Sequence, residues 1–336
     1  MKHSLICTFA PSLQFQFIMG ETKPIQSALI SVYNKDGLDI LVQTLYKLNI
    51  TLYSTGGTLS YIEGLGIPVI PVESLTNFPE ILGGRVKTLH PIIHAGILAD
   101  LRLPSHVAQL AELKIAPFDL VVVNLYPFVK TVKSGASIDE CIEQIDIGGP
   151  SMVRGAAKNH PSVAVVVSPN QYPLIVAALA EGGTDEKLRR KFAIEAYRTT
   201  AKYDIAVSTW LNSVSNDQLM PDWIGNSYTH SSNLRYGENP HQVATFYGDL
   251  DTWFTQLNGK ELSYNNLVDV DAAIALIQDL PQTSFAIIKH TNVCGVAQRA
   301  TVFESWEAAL AGDPESAFGG VLVTNGSIDV PTAEAI

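Results

Sequence analysis

Cysteine, basic side chains and long apolar runs are all scarce in this chain of 336 residues. The three cysteines, Cys7, Cys141 and Cys294, are far apart and form no C-x-x-C pair, so we expect free thiols in a reducing compartment. Lysine and arginine number 22 against 33 acidic residues, and the net charge of -11 argues against a nucleic-acid partner. No apolar run approaches the roughly 18 residues of a membrane span, so we expect a soluble, cytoplasmic protein without a membrane partner.

Hydrophobic residues are plentiful, at 46% of the sequence against 16% charged residues. This balance is typical of a globular protein, and the length predicts two or more domains. The first 18 residues contain an apolar pattern that Pro11 interrupts, and no small-residue cleavage site follows. Met19 precedes a segment typical of a native amino terminus. We therefore expect residues 1–26 to be a disordered extension or a mis-assigned start.

Short apolar runs alternate with amphipathic segments between residues 27 and 167, and this alternation predicts an α/β domain with a mainly parallel sheet. Helices are predicted at residues 36–48, 138–145 and 151–158. In such a domain, ligands bind beyond the carboxyl ends of the strands. The predicted strands are ALISVY (28–33), TLYS (51–54), PVIPV (68–72), AGILA (95–99), LVVVNLY (120–126) and VAVVV (163–167).

Polar residues follow the first two runs, where such a ligand would lie. Ser31 lies near the end of the first run and Lys35 just after it, and a Ser/Thr/Gly-rich turn follows the second. A turn of this kind at a helix amino terminus can seat a phosphate, although an N-cap followed by a turn is an equal alternative. It matches neither a Walker A loop nor G-x-G-x-x-G, so it does not indicate a nucleoside triphosphate or dinucleotide cofactor. The residues of the turn are Ser54, Thr55, Gly56, Gly57 and Thr58.

The stretch GGRVKTLHPIIHAGILA, residues 83–99, is the central candidate. In an extended segment, Arg85 and Lys87 would point to one side and face a single anion; the alternative is a solvated basic turn. His90 and His94 are four residues apart, but Pro91 disfavours His90 in a helix interior. With no third ligand evident, we expect no metal site.

Further candidates follow the fifth run. Tyr126 is a candidate hydrogen-bond donor, although a tyrosine at a strand end more often packs. Asp146 precedes the glycine pair at 148–149. Lys158 shares a helical face with Arg154 and either satisfies the helix dipole or takes part in chemistry.

The second half begins with a largely helical connector at residues 170–211, after which the polar stretch 213–233 predicts a linker. The domain at 234–336 contains an apolar run that ends in Lys289 and His290. Adjacent residues of an extended segment point to opposite sides, so this pair serves one site only if the chain bends there.

Seven motifs, in order along residues 27–336, resemble one family. They are SVYNK, YSTGGT, LGGRVKTLHPIIHAGILA, NLYPF, IDIGGPSMVRGAAKNH, LRYGENPHQ and IIKHTNVCG. They resemble the bifunctional enzymes of purine biosynthesis, which combine AICAR formyltransferase, a one-carbon transferase, with IMP cyclohydrolase. The resemblance implies formyl transfer from the co-substrate 10-formyltetrahydrofolate to AICAR, and then closure of formyl-AICAR to IMP without a cofactor. It also implies a homodimer at full length.

The resemblance further implies a methylglyoxal-synthase-like cyclohydrolase domain at 27–212, connector included, and the start of a cytidine-deaminase-like formyltransferase domain at 234–336. The positions that it places around the closing ring are Lys87, Tyr126, Asp146 and Lys158. From the chemistry of ring closure, our hypothesis is that Lys87 and Tyr126 stabilise the formyl oxygen, that Asp146 binds the amide, and that Lys158 helps proton transfer or positioning. For formyl transfer it implies His290 as the proton acceptor, supported by Lys289. The implied substrate-binding residues are Ser31, Lys35, Ser54, Thr55, Gly56, Gly57, Thr58, Arg85, Thr88, Asn124, Arg235, Tyr236, Asn265, Ser316, Phe318 and Gly319.

The family's sequence continues beyond the length of this chain, so we expect cyclohydrolase activity to survive here and formyl transfer to be absent or impaired. One alternative is a phosphate-eliminating lyase of the methylglyoxal synthase type, which would leave NLYPF, IDIGG and the second domain unexplained. Another alternative is a ribotide- or phosphate-binding module without turnover.

Overall fold

The structure is a computed structural model that describes residues 22–215 and 223–336. The chain forms two compact units, and the second begins at Tyr228. This position lies inside the predicted linker at 213–233, while the predicted domain limits themselves stay a prediction. Most of the predicted extension at 1–26, together with Cys7, lies outside the described residues.

The first unit contains one parallel sheet. Its strands are β1 (Ser27–Val32), β2 (Thr51–Ser54), β3 (Ile70–Pro71), β4 (Leu120–Asn124) and β5 (Ala164–Val166). They lie in the order β3-β2-β1-β4-β5, and all four pairings are parallel. The chain builds the sheet outward from β1 in one direction and then from β4 in the other. A crevice therefore lies beyond the carboxyl ends of β1 and β4, where the strand order reverses.

Ten helices accompany this sheet in the described part of the unit. They are α1 (Leu38–Lys47), α2 (Gly56–Gly64), α3 (Val72–Thr76), α4 (Pro91–Leu98), α5 (Pro104–Glu112), α6 (Phe128–Lys133), α7 (Ile138–Glu143), α8 (Gly148–Lys158), α9 (Tyr172–Ala180) and α10 (Glu186–Val214). The apolar runs in β1 and β4 are almost wholly buried, as expected of strands that are covered on both faces. The predicted parallel α/β domain is confirmed.

The predicted strand AGILA, at 95–99, is wrong, because residues 91–98 form α4. Pro91 occupies the first turn of this helix, where its missing N–H costs nothing, and His90 Nδ1 accepts a hydrogen bond from Ile92 N–H at 3.3 Å. Gly96 lets the helix approach its neighbours, since a Cβ there would lie 2.7 Å from the carbonyl oxygen of Ala116. A short apolar run suits a buried helix as well as a buried strand, so its pattern did not distinguish the two.

The folded unit also includes residues upstream of the predicted boundary at 27. Lys23 pairs with Thr184 through two backbone hydrogen bonds of 2.9 Å, and Ile25 belongs to the core. Asp119, with its side chain 11% exposed, forms an ion pair with Lys23 and accepts the N–H groups of Gln26 and Ser27 at 2.9 and 3.2 Å. A single carboxylate therefore fixes the entry into β1.

Asp119→Ala is expected to lower the free energy of unfolding by about 2–3 kcal/mol, because it leaves a partly buried ammonium and two N–H groups without their acceptor. Urea unfolding followed by circular dichroism measures the change. The control is Asp139→Ala, which removes an exposed acid from the first turn of α7 and should cost about 0.5 kcal/mol. Equal losses in the two variants would show that Asp119 does not fix the entry into β1.

The second unit contains two small antiparallel sheets. Its strands are β6 (Ser231–Asn233), β7 (Thr245–Tyr247), β8 (Ser284–Lys289), β9 (Asn292–Gln298) and β10 (Val321–Thr324). Its helices are α11 (Tyr264–Gln278), α12 (Val302–Leu310), α13 (Pro314–Ala317) and α14 (Val330–Ala335). One sheet pairs β6 with β7, and the other has the order β10-β8-β9. Phe285 and Ile287 of the central strand pack with Val302 and Ala309 of α12.

In the described part of the chain, none of the helices combines the length and the hydropathy that a bilayer span requires. The same residues contain no group of three or more histidine, cysteine or acidic side chains arranged to hold a metal ion. Of the cysteines described, Cys141 is buried and Cys294 half-buried, and both are free thiols.

Candidate active site

A cavity of about 610 Å³ lies in the first unit, beyond the carboxyl ends of β1 and β4. It contains the crevice that the strand order predicts, and residues from five separate stretches of the chain line it. Of the sequence-predicted residues, those in the lining are Ser31, Lys35, Thr55, Gly57, Thr58, Arg85, Lys87, Thr88, Asn124, Tyr126 and Asp146. The fold thus gathers side chains that are up to 115 positions apart, from Ser31 to Asp146.

The Ser/Thr/Gly-rich turn connects β2 to α2, as the sequence predicts. No side chain among the described residues caps the first turn of α2, and its N-cap Thr55 instead donates its hydroxyl to Glu73 Oε1 at 2.8 Å. An uncapped helix start leaves N–H groups and the positive end of the dipole available to an anion. The turn therefore has the backbone features of a phosphate seat.

Two hydroxyls of this turn bind the fold. Ser54, fully buried, donates to the carbonyl oxygen of Ile30 at 2.7 Å. Thr58 Oγ1 donates to the carbonyl oxygen of Val32 at 2.9 Å and accepts its N–H at 3.0 Å. Both side chains hydrogen-bond the turn to β1. Either hydroxyl can therefore contact a ligand only if its present hydrogen bond becomes bifurcated or breaks.

Arg85 and Lys87 both line the cavity, but not from an extended strand. Gly83 and Gly84 have φ values of 64° and 92°, and Arg85 itself has helical dihedrals. Side chains without glycine's freedom rarely adopt those positive φ values, so the glycine pair turns the chain before the two cations. The expected alternation of side chains is absent, and this turn brings both cations to the cavity.

Each cation faces a carboxylate. Arg85 forms an ion pair with Glu143 at the end of α7, and Lys87 Nζ lies 3.5 Å from Glu80. Lys87 is the less exposed cation, with 21% side-chain exposure against 62% for Arg85. Exposed ion pairs contribute little to stability, so an anionic ligand can displace either carboxylate at small cost.

Lys87 also lies against the turn that begins α2. A Cβ at Gly56 would lie 2.8 Å from Lys87 Nζ, and Gly56 has φ of 51°. Only glycine leaves this space without strain, so the ammonium is held beside the start of the helix. The predicted phosphate seat and the predicted catalytic cation are therefore neighbours.

Asp146 is held at the edge of the cavity by two backbone donors. Its Oδ1 accepts the N–H of Gly149 at 2.7 Å, and its Oδ2 accepts the N–H of Tyr126 at 3.4 Å. Burial raises the pKa of Asp146 above its ordinary value, while these two bonds and the charge of Lys87 act in the opposite direction. The result is an oriented carboxylate whose basicity is higher than that of a solvated one.

Tyr126 and Asn124 differ in what their side chains do. The Tyr126 ring packs edge-on against Tyr33 at 5.8 Å and is partly exposed to the cavity. The amide of Asn124 accepts the N–H groups of Tyr33 and Asn34 at 2.6 and 3.0 Å and donates to the carbonyl of Asn34 at 2.8 Å. Asn124 therefore fixes the loop after β1, and Tyr126 is the side chain that remains available to a ligand.

Lys158 does not line the cavity. Helix α8 begins at the cavity with Gly148 and ends at Lys158, which puts the two Cα atoms about 15 Å apart at 1.5 Å per residue. The side chain is exposed in the last turn, where a cation stabilises the helix dipole. This position corresponds to the structural alternative that the sequence left open, and a role in chemistry stays a prediction.

Hydrogen bonds connect several of the predicted residues of the second unit to neighbouring segments. Lys289 Nζ donates to the carbonyl oxygen of Phe318 at 2.9 Å, and Thr291 N–H donates to Asp269 of α11 at 2.8 Å. Asn265 lies one turn before Asp269 on that helix and binds the carbonyl of Glu238 at 3.0 Å. Helix α11 thus links the segment that contains Arg235 and Tyr236 to the Lys289 turn.

Of the remaining predicted residues, Arg235 stacks on the ring of Tyr236 at 4.8 Å. Ser316 N–H donates to Asp313, and Gly319 has φ of 76°. A second cavity of about 440 Å³ in this unit borders His230 and Glu261, and none of the predicted formyltransferase residues lines it.

The chain bends sharply after Lys289. His290 and Thr291 have φ of 52° and 62° and connect β8 to β9, whose end residues Lys289 and Asn292 pair. Positive φ at both central residues is what a tight hairpin turn requires, and it is strained for side chains other than glycine, asparagine or aspartate. The bend that the sequence required for Lys289 and His290 to serve one site is present.

Several residues around the first cavity escaped the sequence analysis. Glu80 and Glu143 pair with the two cations, and Tyr203 of α10 hydrogen-bonds the backbone next to Asp146. Glu143 is close in sequence to the IDIGG motif, which offers a weak signal. Tyr203 is 57 positions from Asp146, so only the tertiary fold shows their contact.

Comparison with known proteins covers both parts of the chain. Residues 37–151 match a family described as MGS-like domain, and residues 156–336 match the family described as AICARFT/IMPCHase bienzyme. Among solved structures, ForH is 31% identical and aligns with 56% of this chain and 99% of its own, at a TM-score of 0.49.

Two curated relatives match at high identity. The bifunctional purine biosynthesis protein PurH of Corynebacterium glutamicum (strain R) is 53% identical over 324 residues, which are 94% of this chain and 62% of that protein. The PurH of Mycobacterium marinum is 52% identical over the same shares of the two chains. This chain thus spans 62% of the length of these relatives. Because the bienzyme family matches more than half of its residues, the chain belongs to the AICARFT/IMPCHase bienzyme family.

Proposed function

We propose that this chain closes formyl-AICAR to IMP with loss of water, a step of de novo purine biosynthesis. The observation that carries the proposal is the convergence of Lys87, Tyr126 and Asp146 on one cavity beside the uncapped start of α2. Membership of the bienzyme family and the names of the two PurH relatives support it.

The reaction forms one bond between the carboxamide nitrogen and the formyl carbon. Negative charge develops on the formyl oxygen as the nitrogen attacks, and the nitrogen must lose a proton. Lys87 and Tyr126 stabilise that oxygen with a positive charge and a phenol donor. Asp146 orients the amide and accepts from its N–H, helped by the raised pKa that burial gives it. The formyl oxygen takes up the proton lost by the carboxamide nitrogen and a second proton from the formamide nitrogen. Its bond to carbon then breaks, water leaves, and the C=N bond that forms to the former formamide nitrogen completes the aromatic ring.

The remaining cavity residues bind the ribotide in this proposal. The phosphate lies at the start of α2, where Gly56 and Gly57 offer N–H groups, and Arg85 exchanges Glu143 for the phosphate. Ser31, Lys35 and Thr88 line the same cavity and contact the ribose or the phosphate. Ser54, Thr58 and Asn124 act indirectly, because their polar atoms hold the surrounding backbone.

For the second unit, we propose which residues serve the family's formyl transfer from 10-formyltetrahydrofolate to AICAR, a reaction that we expect to be absent or impaired in this chain. His290 takes the proton of the attacking amine, and Lys289 supports the developing charge. The strained turn that holds both residues supports this role, since such strain concentrates at functional sites. AICAR is bound by Arg235, Tyr236, Asn265 and the segment 316–319.

We also propose a homodimer and a cytoplasmic location.

Adding formyl-AICAR to the purified chain and following the rise of IMP absorbance tests the first activity. We expect IMP to form, and Asp146→Ala to reduce its rate about 10²–10⁴-fold while IMP still binds, because the phosphate seat is untouched. If the ribotide binds and is not consumed, the chain is a binding module instead. If inorganic phosphate appears instead of IMP, the chain is a phosphate-eliminating lyase.

A further inference from the structure

Tyr203, in the middle of α10, contacts the backbone on both sides of the loop that leads to Asp146. Its hydroxyl oxygen accepts the N–H of Asp146 at 2.7 Å and donates to the carbonyl oxygen of Gln144 at 2.9 Å. One phenol thus replaces the water or backbone partner that both groups would otherwise need. It fixes the peptide groups that determine where the carboxylate begins.

Packing against neighbouring side chains also holds the ring of Tyr203 in place. It is buried in a cluster with Cys141, Trp210 and Phe128, and it lies edge-on to the Phe128 ring at 6.0 Å. Phe128 begins α6, two residues after Tyr126. The same side chain therefore braces the segment that carries Tyr126 and the loop that carries Asp146.

The hydroxyl retains its proton over the physiological pH range. Burial raises the pKa of Tyr203 to about 12; the N–H that Asp146 donates acts in the opposite direction, and the negative charges of Asp146 and Asp204 add to the rise. The phenol is therefore always able to donate to Gln144 and accept from Asp146. Its bracing role does not depend on pH.

We propose that Tyr203 is a positioning residue for ring closure, acting through Asp146. This inference rests on the proposed cyclisation. Asp146 needs a fixed backbone because its carboxylate is aimed by bonds to Gly149 and Tyr126, and a displacement of about 1 Å can cost about 10²-fold in rate. Among the residues described, none of α10 lines the cavity, so Tyr203 can act on the site only indirectly, through its hydrogen bond to Asp146.

Tyr203→Phe isolates the hydroxyl, because it keeps the ring against Phe128. We expect kcat to fall about 10-fold and KM to change less than about twofold, since the phosphate seat is unaffected. The matched control is Tyr197→Phe, which removes a hydroxyl from the same helix. Tyr197 is half-exposed, and its ring stacks on Arg154. Its variant should retain the wild-type kcat.

A double-mutant cycle with Asp146→Asn distinguishes positioning from a general structural role. If Tyr203 acts through Asp146, Tyr203→Phe should cost less than about twofold once Asp146 is already asparagine. An equal 10-fold loss in both backgrounds would overturn the proposal. Rates are normalised to the fraction of chains that bind IMP, so that partial unfolding does not imitate a loss of kcat.

Hydrogen exchange tests the same contact without turnover. In the ligand-free wild type, the Asp146 amide should be protected, and in Tyr203→Phe it should exchange at least about 10-fold faster, with Tyr197→Phe unchanged. Rapid exchange of this amide in the wild type would refute the proposal even if the variant failed to fold. A wild type that binds formyl-AICAR without forming IMP would refute the proposed cyclisation instead, and the exchange result would still decide the contact.

Discussion

Lys87→Ala is expected to reduce IMP formation from formyl-AICAR about 10²–10³-fold, the usual cost of removing a group that stabilises an oxyanion. The effect should appear in kcat. In the proposed complex the substrate phosphate binds Arg85 and the start of α2, whereas charge on the formyl oxygen develops only as the ring closes. Initial rates across a range of substrate concentrations separate kcat from KM.

The control for this variant is Lys47→Ala, in the last turn of α1 and outside the cavity lining. The folded state should tolerate Lys87→Ala well, because its partner Glu80 is 37% exposed and can be solvated. A variant that melts like the wild type and cyclises at near-normal rate would show that Lys87 is not the oxyanion donor. In that case, Glu80→Gln should also leave the rate of IMP formation unchanged.

Gly149→Ala is expected to lower kcat about 10²-fold although it adds only one methyl group. Its Cβ would lie 2.4 Å from Asp146 Oδ2 and 2.9 Å from Oδ1, so the carboxylate must rotate out of its present position. A misplacement of about 1 Å is enough for a loss of this size. The steady-state rate of IMP formation measures it.

The fold should accept this methyl group because the three atoms nearest to it all belong to the end of the Asp146 side chain, which can rotate. Alanine also favours a helix over glycine by up to about 1 kcal/mol. Gly64→Ala, at the end of α2 with nothing within 4 Å of its Cβ, is the matched control, and it should retain activity. If Gly149→Ala were fully active, cyclisation would not require the present placement of Asp146.

The sequence predicted well wherever a local rule applies. Strands buried on both faces are apolar throughout, so β1, β4 and β5 are visible as continuous runs, and the parallel α/β layer follows from their alternation with helices. Residues just after such strands meet at one edge of the sheet. For that reason Ser31, Thr55 and Tyr126 were correctly expected to lie near one another, and the structure gathers them around one cavity.

Where two structures fit one local pattern, the sequence had no means to choose. AGILA suits a strand or a buried helix, and Pro91 with the His90 cap makes it α4. Arg85 and Lys87 reach the cavity through a turn with positive φ instead of through strand alternation. Lys158 lies at the end of α8 opposite the cavity, because the rise along the helix separates it from Gly148, and its role in chemistry stays a prediction.

By itself, the sequence determined the apolar strands β1, β2, β4 and β5, the helix that starts after β2, and the residue types of the candidate site, since all three depend on residue type and short-range spacing. The tertiary structure alone decided which polar atoms face the cavity. It turned Ser54, Thr58 and Asn124 toward backbone partners, paired both cations with Glu80 and Glu143, and brought Tyr203 to Asp146. A buried polar atom takes whichever partner the packing brings within about 3 Å, and no pattern along the chain encodes that choice.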